Sequence, residues 1–447
     1  MVTNLLNRWL FSRSMFALAA ACCMTVFPAL TTAQTDPGPR NGPSVTGGPV
    51  AGLDPNQTQA FLDGQERFND VEDVPNGGLG PHFNSNSCVS CHSQPAAGGT
   101  SPAVNPQTNF ANSRNSLPSF ITPNGPAREA RFINNSNGTP DGSVHALFVI
   151  TGRSDAPSAC KISQENFSNL SNISLRIPTP LFGLGLIEAI PDAYLLNNLN
   201  NTARSRASLG IGGSYNVSGN DTTYTRFGWK AQNKSLEIFS GEAYNVEMGI
   251  SNLMFPNERS MASINDLLNC NKAGTPNDDV NLAGAGLAEF DDVSGFSVFA
   301  RFLAPPGRGP LTNSVVNGSN VFSNIGCAMC HATTLQTGPS RFAALSNKTI
   351  HPYSDFALHH MGPGLADRIS QGAAKGDQFR TAPLWGLGER LFLLHDGRTT
   401  DLVQAIQAHS SSGNSQFPSS EANRVISNYN SLSFSDKQSL LNFLRSL

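Results

Sequence analysis

Two short segments of the sequence combine a pair of cysteines with a histidine in the spacing Cys-x-x-Cys-His. They contain Cys88, Cys91 and His92 in the first segment and Cys327, Cys330 and His331 in the second. This spacing suits a redox dithiol, half of a zinc site, or a c-type haem held by two thioethers with the histidine on iron. The adjoining histidine favours the haem. Two complete copies therefore predict two covalently bound c-type haems.

A zinc ion bound by all four cysteines is the alternative, because tetrahedral zinc accepts four thiolates. That site would leave both adjoining histidines without a role. In the haem interpretation each histidine binds an iron.

The amino terminus has the pattern of a secretory signal. Arg8 and Arg13 precede an apolar run at residues 15–30, which predicts a signal peptide over residues 1–33. We therefore expect a periplasmic or secreted protein that is not an integral membrane protein after cleavage. The run is short for a membrane span, although an uncleaved anchor and lipidation at Cys22 are alternatives.

Two cysteines remain outside the haem motifs once the signal is removed. They are Cys160 and Cys270. An oxidising compartment permits structural disulfides, so the count allows these two to pair.

The length and composition indicate a folded protein with long loops. Removal of the signal leaves 414 residues, which is enough for two or three domains of roughly 100–200 residues each. The formal net charge of −3 argues against nucleic acid as a partner.

A long-period repeat precedes the two motifs. Gly64 and Phe68 stand four residues apart before the first motif, as Gly318 and Phe322 do before the second. Residues at this spacing share one face of a helix. A glycine on that face permits close helix packing, and an aromatic ring can cover a haem edge.

The repeat predicts a mainly α fold with long loops and two cytochrome c-like haem domains. We assign the N-terminal haem domain, which carries large insertions, to residues 51–310. We assign the C-terminal domain to residues 311–447. Residues 34–50 are predicted to be a flexible lead-in.

A helix is predicted in the segment TTDLVQAIQAHS, with Thr400 as its N-cap. Leu402, Ile406 and His409 fall at i, i+4 and i+7, so the histidine lies on the apolar face. A histidine on such a face is commonly a core residue. Here a nearby haem has a sixth iron position to fill, so His409 is a candidate ligand.

Longer segments resemble the di-haem oxidoreductases known as putative peroxidases, relatives of the bacterial di-haem cytochrome c peroxidases. The segments are GLGPHFNSNSCVSCH, RIPTPLFGLGLIEAIPD, FGWKAQNKSLE, NVEMGI, PYSDFALHHMGPGLAD, RTAPLWGLGERLFLLHDGR and the second haem motif. The resemblance runs over most of the chain after residue 33.

The resemblance independently selects His409. The relatives carry the distal ligand of the C-terminal haem, usually methionine, at the same offset from the histidine that corresponds to His395. It implies a haem ligated by His331 and His409, with a lower potential than a methionine-ligated haem. His359, His360 and Met361 are further ligand candidates and rank below His409.

The resemblance also implies two catalytic residues. The relatives carry a tryptophan between the haems, which corresponds to Trp229, and a glutamate over the peroxide-binding haem, which corresponds to Glu247. A carboxylate above the iron can move a proton from the near to the far peroxide oxygen. The chain departs from the relatives here, because the Trp229-to-Glu247 interval is two residues shorter and Phe239 stands near the place of their glutamine.

The relatives often block the resting N-terminal iron with a histidine that follows the first motif. No histidine occurs between His92 and His145, so we expect this haem to be open. His145 lies in VHALFVI, which has the pattern of a strand.

Together these features predict a periplasmic di-haem c-type oxidoreductase. It would reduce hydrogen peroxide at the N-terminal haem with electrons from the C-terminal haem, which a redox protein would supply. A non-catalytic electron-transfer cytochrome and an enzyme that oxidises an organic or protein substrate are the alternatives. A bound calcium ion is also left open.

Overall fold

The computed structural model describes most of the chain after the predicted signal. The described residues are 34–40, 46–260, 262–270, 272, 278 and 291–447. The predicted signal peptide and residues 41–45 of the predicted lead-in lie outside them. Gln34–Leu447 is one compact unit, and the predicted division into two haem domains stays a prediction.

Eleven α-helices occur in the described ranges, and loops separate most of them. They are α1 Pro55–Asn69, α2 Cys88–Cys91, α3 Leu184–Glu188, α4 Asp192–Leu209, α5 Leu236–Met248, α6 Ile264–Asn269, α7 Asp292–Phe302, α8 Asn313–Ile325, α9 Leu402–Gln407, α10 Asn423–Asn430 and α11 Phe434–Ser446.

Nine strands of two to four residues form small antiparallel sheets. They are β1 His82–Phe83, β2 Glu129–Phe132, β3 Val144–His145, β4 Phe148–Val149, β5 Ile173–Arg176, β6 Leu335–Gln336, β7 Thr349–Ile350, β8 Leu358–His360 and β9 Gln378–Arg380. The sheet orders are β1-β4, β3-β2-β5, β6-β7 and β8-β9. The prediction of a mainly α fold with long loops is confirmed.

Helix α1 positions an aromatic ring beside the first motif. Asp54 caps the helix, with its carboxylate 2.8 Å from the backbone nitrogen of Gln57, in a capping box. A Cβ atom at Gly64 would overlap the carbonyl oxygen of Gly295 in α7, so this glycine lets the two helices approach. Phe68 then lies with its ring centroid 6.1 Å from that of His92.

Helix α8 repeats this arrangement at the second motif. A Cβ atom at Gly318 would overlap the carbonyl oxygen of Ser439 in α11. Phe322 packs 5.3 Å from Phe443 and 6.2 Å from His331 between ring centroids. In both copies of the repeat, as predicted, the glycine lies at a contact between two helices and the aromatic ring lies beside the motif.

Helix α9 differs from its prediction at both ends. Asp401 is the N-cap and not Thr400, because the Asp401 carboxylate accepts from the backbone N–H of Gln404 at 2.8 Å. The helix ends at Gln407, so the prediction of a helix that extends through His409 is wrong. The backbone N–H of His409 still bonds to the carbonyl of Ile406 at 3.1 Å, which continues the turn.

Cys160 and Cys270 form a disulfide. None of the helices in the described ranges has the length and apolarity that a bilayer crossing requires.

Candidate functional site

Each Cys-x-x-Cys-His motif lines a cavity of its own. The N-terminal cavity is lined by Cys88, Cys91 and His92, and the C-terminal cavity by Cys327, Cys330 and His331. None of these four cysteines forms a disulfide. Since the two pairs lie in different cavities, they do not converge on a single four-cysteine zinc site. Across the described ranges, no group of three or more His, Cys, Asp or Glu is arranged to hold a metal ion.

The motif histidines have a hydrogen-bond pattern that suits metal ligands. His92 Nδ1 lies 2.9 Å from the Gly99 carbonyl oxygen, and His331 Nδ1 lies 2.9 Å from that of Tyr353. A carbonyl only accepts, so each Nδ1 carries the hydrogen and Nε2 keeps its lone pair. This backbone support is typical of metal-binding histidines. Burial lowers the pKa of both imidazoles to about 4, so both are neutral at pH 7.

His409 has the same local arrangement. Its Nδ1 lies 2.7 Å from the carbonyl oxygen of Ala405, and burial lowers the pKa of its imidazole. His409 lines the C-terminal cavity with Leu402, Ile406 and His331. The structure thus brings together the two histidines that the sequence selects for the second iron.

Of the competing ligand candidates near residue 360, both histidines already contact carboxylates, whereas Met361 lines the C-terminal cavity. His359 lines the C-terminal cavity, but its Nε2 lies 3.1 Å from Asp355 and its Nδ1 lies 2.7 Å from Glu421. His360 Nδ1 lies 2.8 Å from Asp377. Because both ring nitrogens of His359 face carboxylates, it has no nitrogen free for iron.

His145 is a strand residue, as predicted. It lies in β3, with Nε2 2.8 Å from Asp141. Its ring stacks on Phe132 with centroids 4.0 Å apart.

Helix α5 carries Glu247 into the N-terminal cavity. Its carboxylate accepts from Asn84 Nδ2 at 2.7 Å, and its backbone carbonyl accepts from the Asn84 N–H at 2.7 Å. Burial and then the negative charge of Glu129 raise the pKa of Glu247. Glu247 therefore tends to hold its proton at neutral pH.

Glu129 is a site residue that sequence reasoning missed. It lies on β2 and lines the N-terminal cavity, and Arg131 Nε donates to it at 2.7 Å. Although burial opposes ionisation, Arg131 and Arg176 hold the pKa of Glu129 below its usual value. The Glu129 and Glu247 side chains are hydrogen-bonded, so an ionised carboxylate accepts from a protonated one. The two residues are far apart in sequence, and no local pattern joins them.

Trp229 lies between the two cavities. It lines both of them, and its Nε1 donates to the carbonyl of Ile177 at 2.9 Å. Its ring is 6.3 Å edge-on from that of His395, which lines the C-terminal cavity. Phe239, the residue that departs from the relatives' pattern, lines the N-terminal cavity.

The lining residues of both cavities fit a covalently attached haem. Each cavity has a thiol pair and a neutral histidine with a free Nε2. Ser87 and Tyr429, which lie among the lining residues, have buried hydroxyls with no hydrogen-bond partner within the described residues. Such hydroxyls suit a polar group on a bound ligand.

Comparisons with known proteins agree with this chemistry. A family model described as "Di-haem oxidoreductase, putative peroxidase" matches residues 133–447, a range that contains the second motif and begins after the first. No curated protein matches the chain.

Three solved structures illustrate distant likenesses. A MauG-like protein associated with microbial copper homeostasis has 16% identity and a TM-score of 0.29, over 60% of this chain and 90% of that one. The diheme peroxidase BthA from Burkholderia thailandensis has 14% identity and a TM-score of 0.38, over 91% of this chain and 95% of that one. The Kuenenia stuttgartiensis hydrazine synthase has 13% identity and a TM-score of 0.34, over 94% of this chain and 99% of that one. At these scores the likenesses support no statement about activity.

Proposed function

The chain belongs to the di-haem oxidoreductase family of putative peroxidases, and from this premise we propose that it reduces hydrogen peroxide in the N-terminal cavity. Two electrons and two protons convert one peroxide molecule to two waters. A haem attached at Cys88 and Cys91 would supply the iron that binds peroxide and exchanges electrons. The electrons would come from a redox protein in the periplasm, by way of a haem in the C-terminal cavity.

The observation that carries the proposal is the pair of hydrogen-bonded carboxyl groups in the cavity of His92. Cleavage of the oxygen–oxygen bond is assisted when a proton moves from the near oxygen to the far one. Glu247 holds a proton and Glu129 is ionised beside it. The pair can therefore accept one proton from peroxide and deliver another to the departing oxygen.

Asn84 and Arg131 hold this pair in place. Asn84 Nδ2 fixes one oxygen of Glu247, and Arg131 Nε fixes Glu129. Since each carboxyl has its own donor, the proton can move between them without a change in side-chain position.

An open iron position is part of the proposal. Among the described residues that line the N-terminal cavity, His92 is the only histidine. Met248 also lines it, but its sulfur lies 3.9 Å from Cys88 Sγ, beside the attachment point of the haem.

Trp229 is proposed to connect the two centres. An indole that lines both cavities offers an aromatic path between them, and the Ile177 carbonyl fixes its orientation. The C-terminal iron would be ligated by His331 and His409, whose imidazoles are both neutral and supported at Nδ1.

A second candidate function is oxidation of an organic or protein substrate. Phe239 favours it, because an apolar ring lines the cavity near the place where the resembling peroxidases carry glutamine. A non-catalytic electron carrier is the other alternative, and it would require six-coordinate iron in both cavities.

Mass spectrometry and low-temperature electron paramagnetic resonance on the mature protein test the proposal. We expect two haems to remain on the denatured polypeptide. The resting spectrum should contain one high-spin and one low-spin ferric haem, and peroxide should remove the high-spin signal. A haem-free polypeptide would overturn the haem assignment, and two low-spin haems inert to peroxide would favour the carrier.

A further inference from the structure

Two arginines border the C-terminal cavity without an acidic partner. Arg380 is the last residue of β9 and is 7% exposed, and Arg390 follows the 3-10 segment Leu387–Glu389. Both side chains line the cavity. In the part of the chain that the structure describes, neither forms an ion pair, and no carboxylate offsets the effect of burial on either group.

Arg380 is the exception among the buried arginines of the described ranges, and Arg390 is half-buried. The other buried arginines all pair with carboxylates: Arg131 with Glu129, Arg176 with Asp367, Arg206 with Asp355, Arg226 with Asp192, and Arg445 with Asp36.

Backbone carbonyls accept hydrogen bonds from only some of the N–H donors of the two guanidinium groups. Arg380 Nε donates to Gly228 at 2.9 Å, and its Nη1 donates to Thr381 at 3.4 Å. Arg390 Nη2 donates to the Pro383 carbonyl at 2.8 Å and to the Trp385 carbonyl at 3.4 Å. Since each guanidinium carries five N–H donors, both have hydrogens left for a ligand in the cavity.

A buried charge without a counter-charge is costly. Burial lowers the pKa of both arginines to about 10, and Arg390 adds repulsion at Arg380. Both groups still remain cationic at neutral pH. The one carboxylate among the described lining residues is Glu421, which already contacts His359 at 2.7 Å and the Gly212 N–H at 2.9 Å.

We propose that Arg380 and Arg390 bind the two propionate carboxylates of the haem attached at Cys327 and Cys330. This inference rests on the proposed function only in requiring that haem, and it does not require peroxide turnover. Two cations beside an otherwise mostly apolar cavity match a planar apolar ligand with two anionic groups. Arginine also suits carboxylates because its fork of N–H groups can bind both oxygens.

Arg380 would have a further positioning role. Its backbone N–H donates to the Trp229 carbonyl at 2.9 Å, and its Nε bonds to the Gly228 carbonyl. A propionate on Arg380 would therefore be linked to the backbone that carries the indole between the cavities.

The test uses the holoprotein with Arg380→Met and Arg390→Met made singly. Loss of one guanidinium charge should stabilise the ferric haem relative to the ferrous haem. The equilibrium constant for reduction should therefore fall at least tenfold. This corresponds to a potential lower by about 59 mV for one electron. Spectroelectrochemical titration measures the potential. Redox-difference infrared spectra, with the propionates labelled by carbon-13, should show a shifted carboxylate band.

Arg226→Met is the matched control. Arg226 is buried and paired with Asp192, and it lines neither cavity. Its loss should lower the thermal midpoint without a change in potential or carboxylate band. Arg380→Lys keeps the charge but loses the fork, so it should shift the carboxylate band with less change in potential. Arg380→Lys also provides the test if the methionine variants do not accumulate.

The outcomes are distinguishable. A wild-type protein without haem at the second motif overturns the proposed function and this inference together. Haem-loaded Arg380 and Arg390 variants with the wild-type potential and carboxylate band overturn this inference alone.

Discussion

Replacement of Glu247 by glutamine separates peroxide binding from oxygen–oxygen cleavage. The shape of the side chain is kept. The amide oxygen of the variant can still accept from Asn84 Nδ2, which lies 2.7 Å from the carboxylate in the parent protein. Its amide nitrogen can donate to the ionised Glu129. The variant should therefore fold and bind peroxide normally, while losing the proton that Glu247 delivers.

The size of the effect follows from the loss of one positioned proton-transfer group. Such a loss slows the chemical step by roughly 10²- to 10⁴-fold, which is about 2.7 to 5.4 kcal/mol in the barrier. Stopped-flow spectra would show slow decay of the ferric signal at saturating peroxide. The resting high-spin band should be unchanged.

Glu242→Gln provides a control from the same cavity. Glu242 also lines the N-terminal cavity, but its carboxylate is held by the side-chain amide of Asn233. Its replacement should leave the rate of cleavage unchanged. Cleavage at the parent rate in Glu247→Gln, or an equal slowing in Glu242→Gln, would refute the assignment of the proton to Glu247.

Substitutions at three further residues test the rest of the site. His409→Met should keep low-spin ligation and raise the potential of the C-terminal haem, whereas an alanine there should open its iron; unchanged spectra and potential would make His409 a core residue. Trp229→Phe should slow electron transfer between the haems in rapid-mixing experiments, whereas Trp385→Phe, which alters a buried tryptophan outside both cavity linings, should not. Glu129→Gln removes a charge that raises the pKa of Glu247, so Glu247 should lose its proton at lower pH. As the pH rises, the cleavage rate should then begin to fall at lower pH than in the parent protein. An unshifted pH–rate profile would contradict a proton shared by the two carboxyl groups.

The features that sequence reasoning recovered depend on local spacing. Gly64 and Phe68 are four residues apart, and helical periodicity alone places them on one face. The same periodicity selected Leu402 and Ile406, which line the C-terminal cavity although α9 ends sooner than expected. The position of the N-cap also differed, because Asp401 was as suitable a cap as its neighbour.

The features that sequence reasoning missed depend on contacts between distant segments. Glu129 and Glu247 meet because a short strand and a helix converge on one cavity. Arg380 and Arg390 became informative only when the structure put them beside a cavity whose one lining carboxylate, in the described residues, already contacts His359. In the sequence, an unpaired arginine looks the same as a paired one.

The double contact between Asn84 and Glu247 bears on how such a protein can diversify. Asn84 joins the end of α5 through backbone and side chain at once, and it stands four residues before Cys88. In the proposed function, a very short piece of chain would therefore fix the distance between the acid and the haem attachment point. Changes of chain length elsewhere, as between His92 and Glu129, would then leave the acid in place relative to the proposed haem. Such changes would vary the rest of the cavity lining while the proposed proton chemistry stays constant.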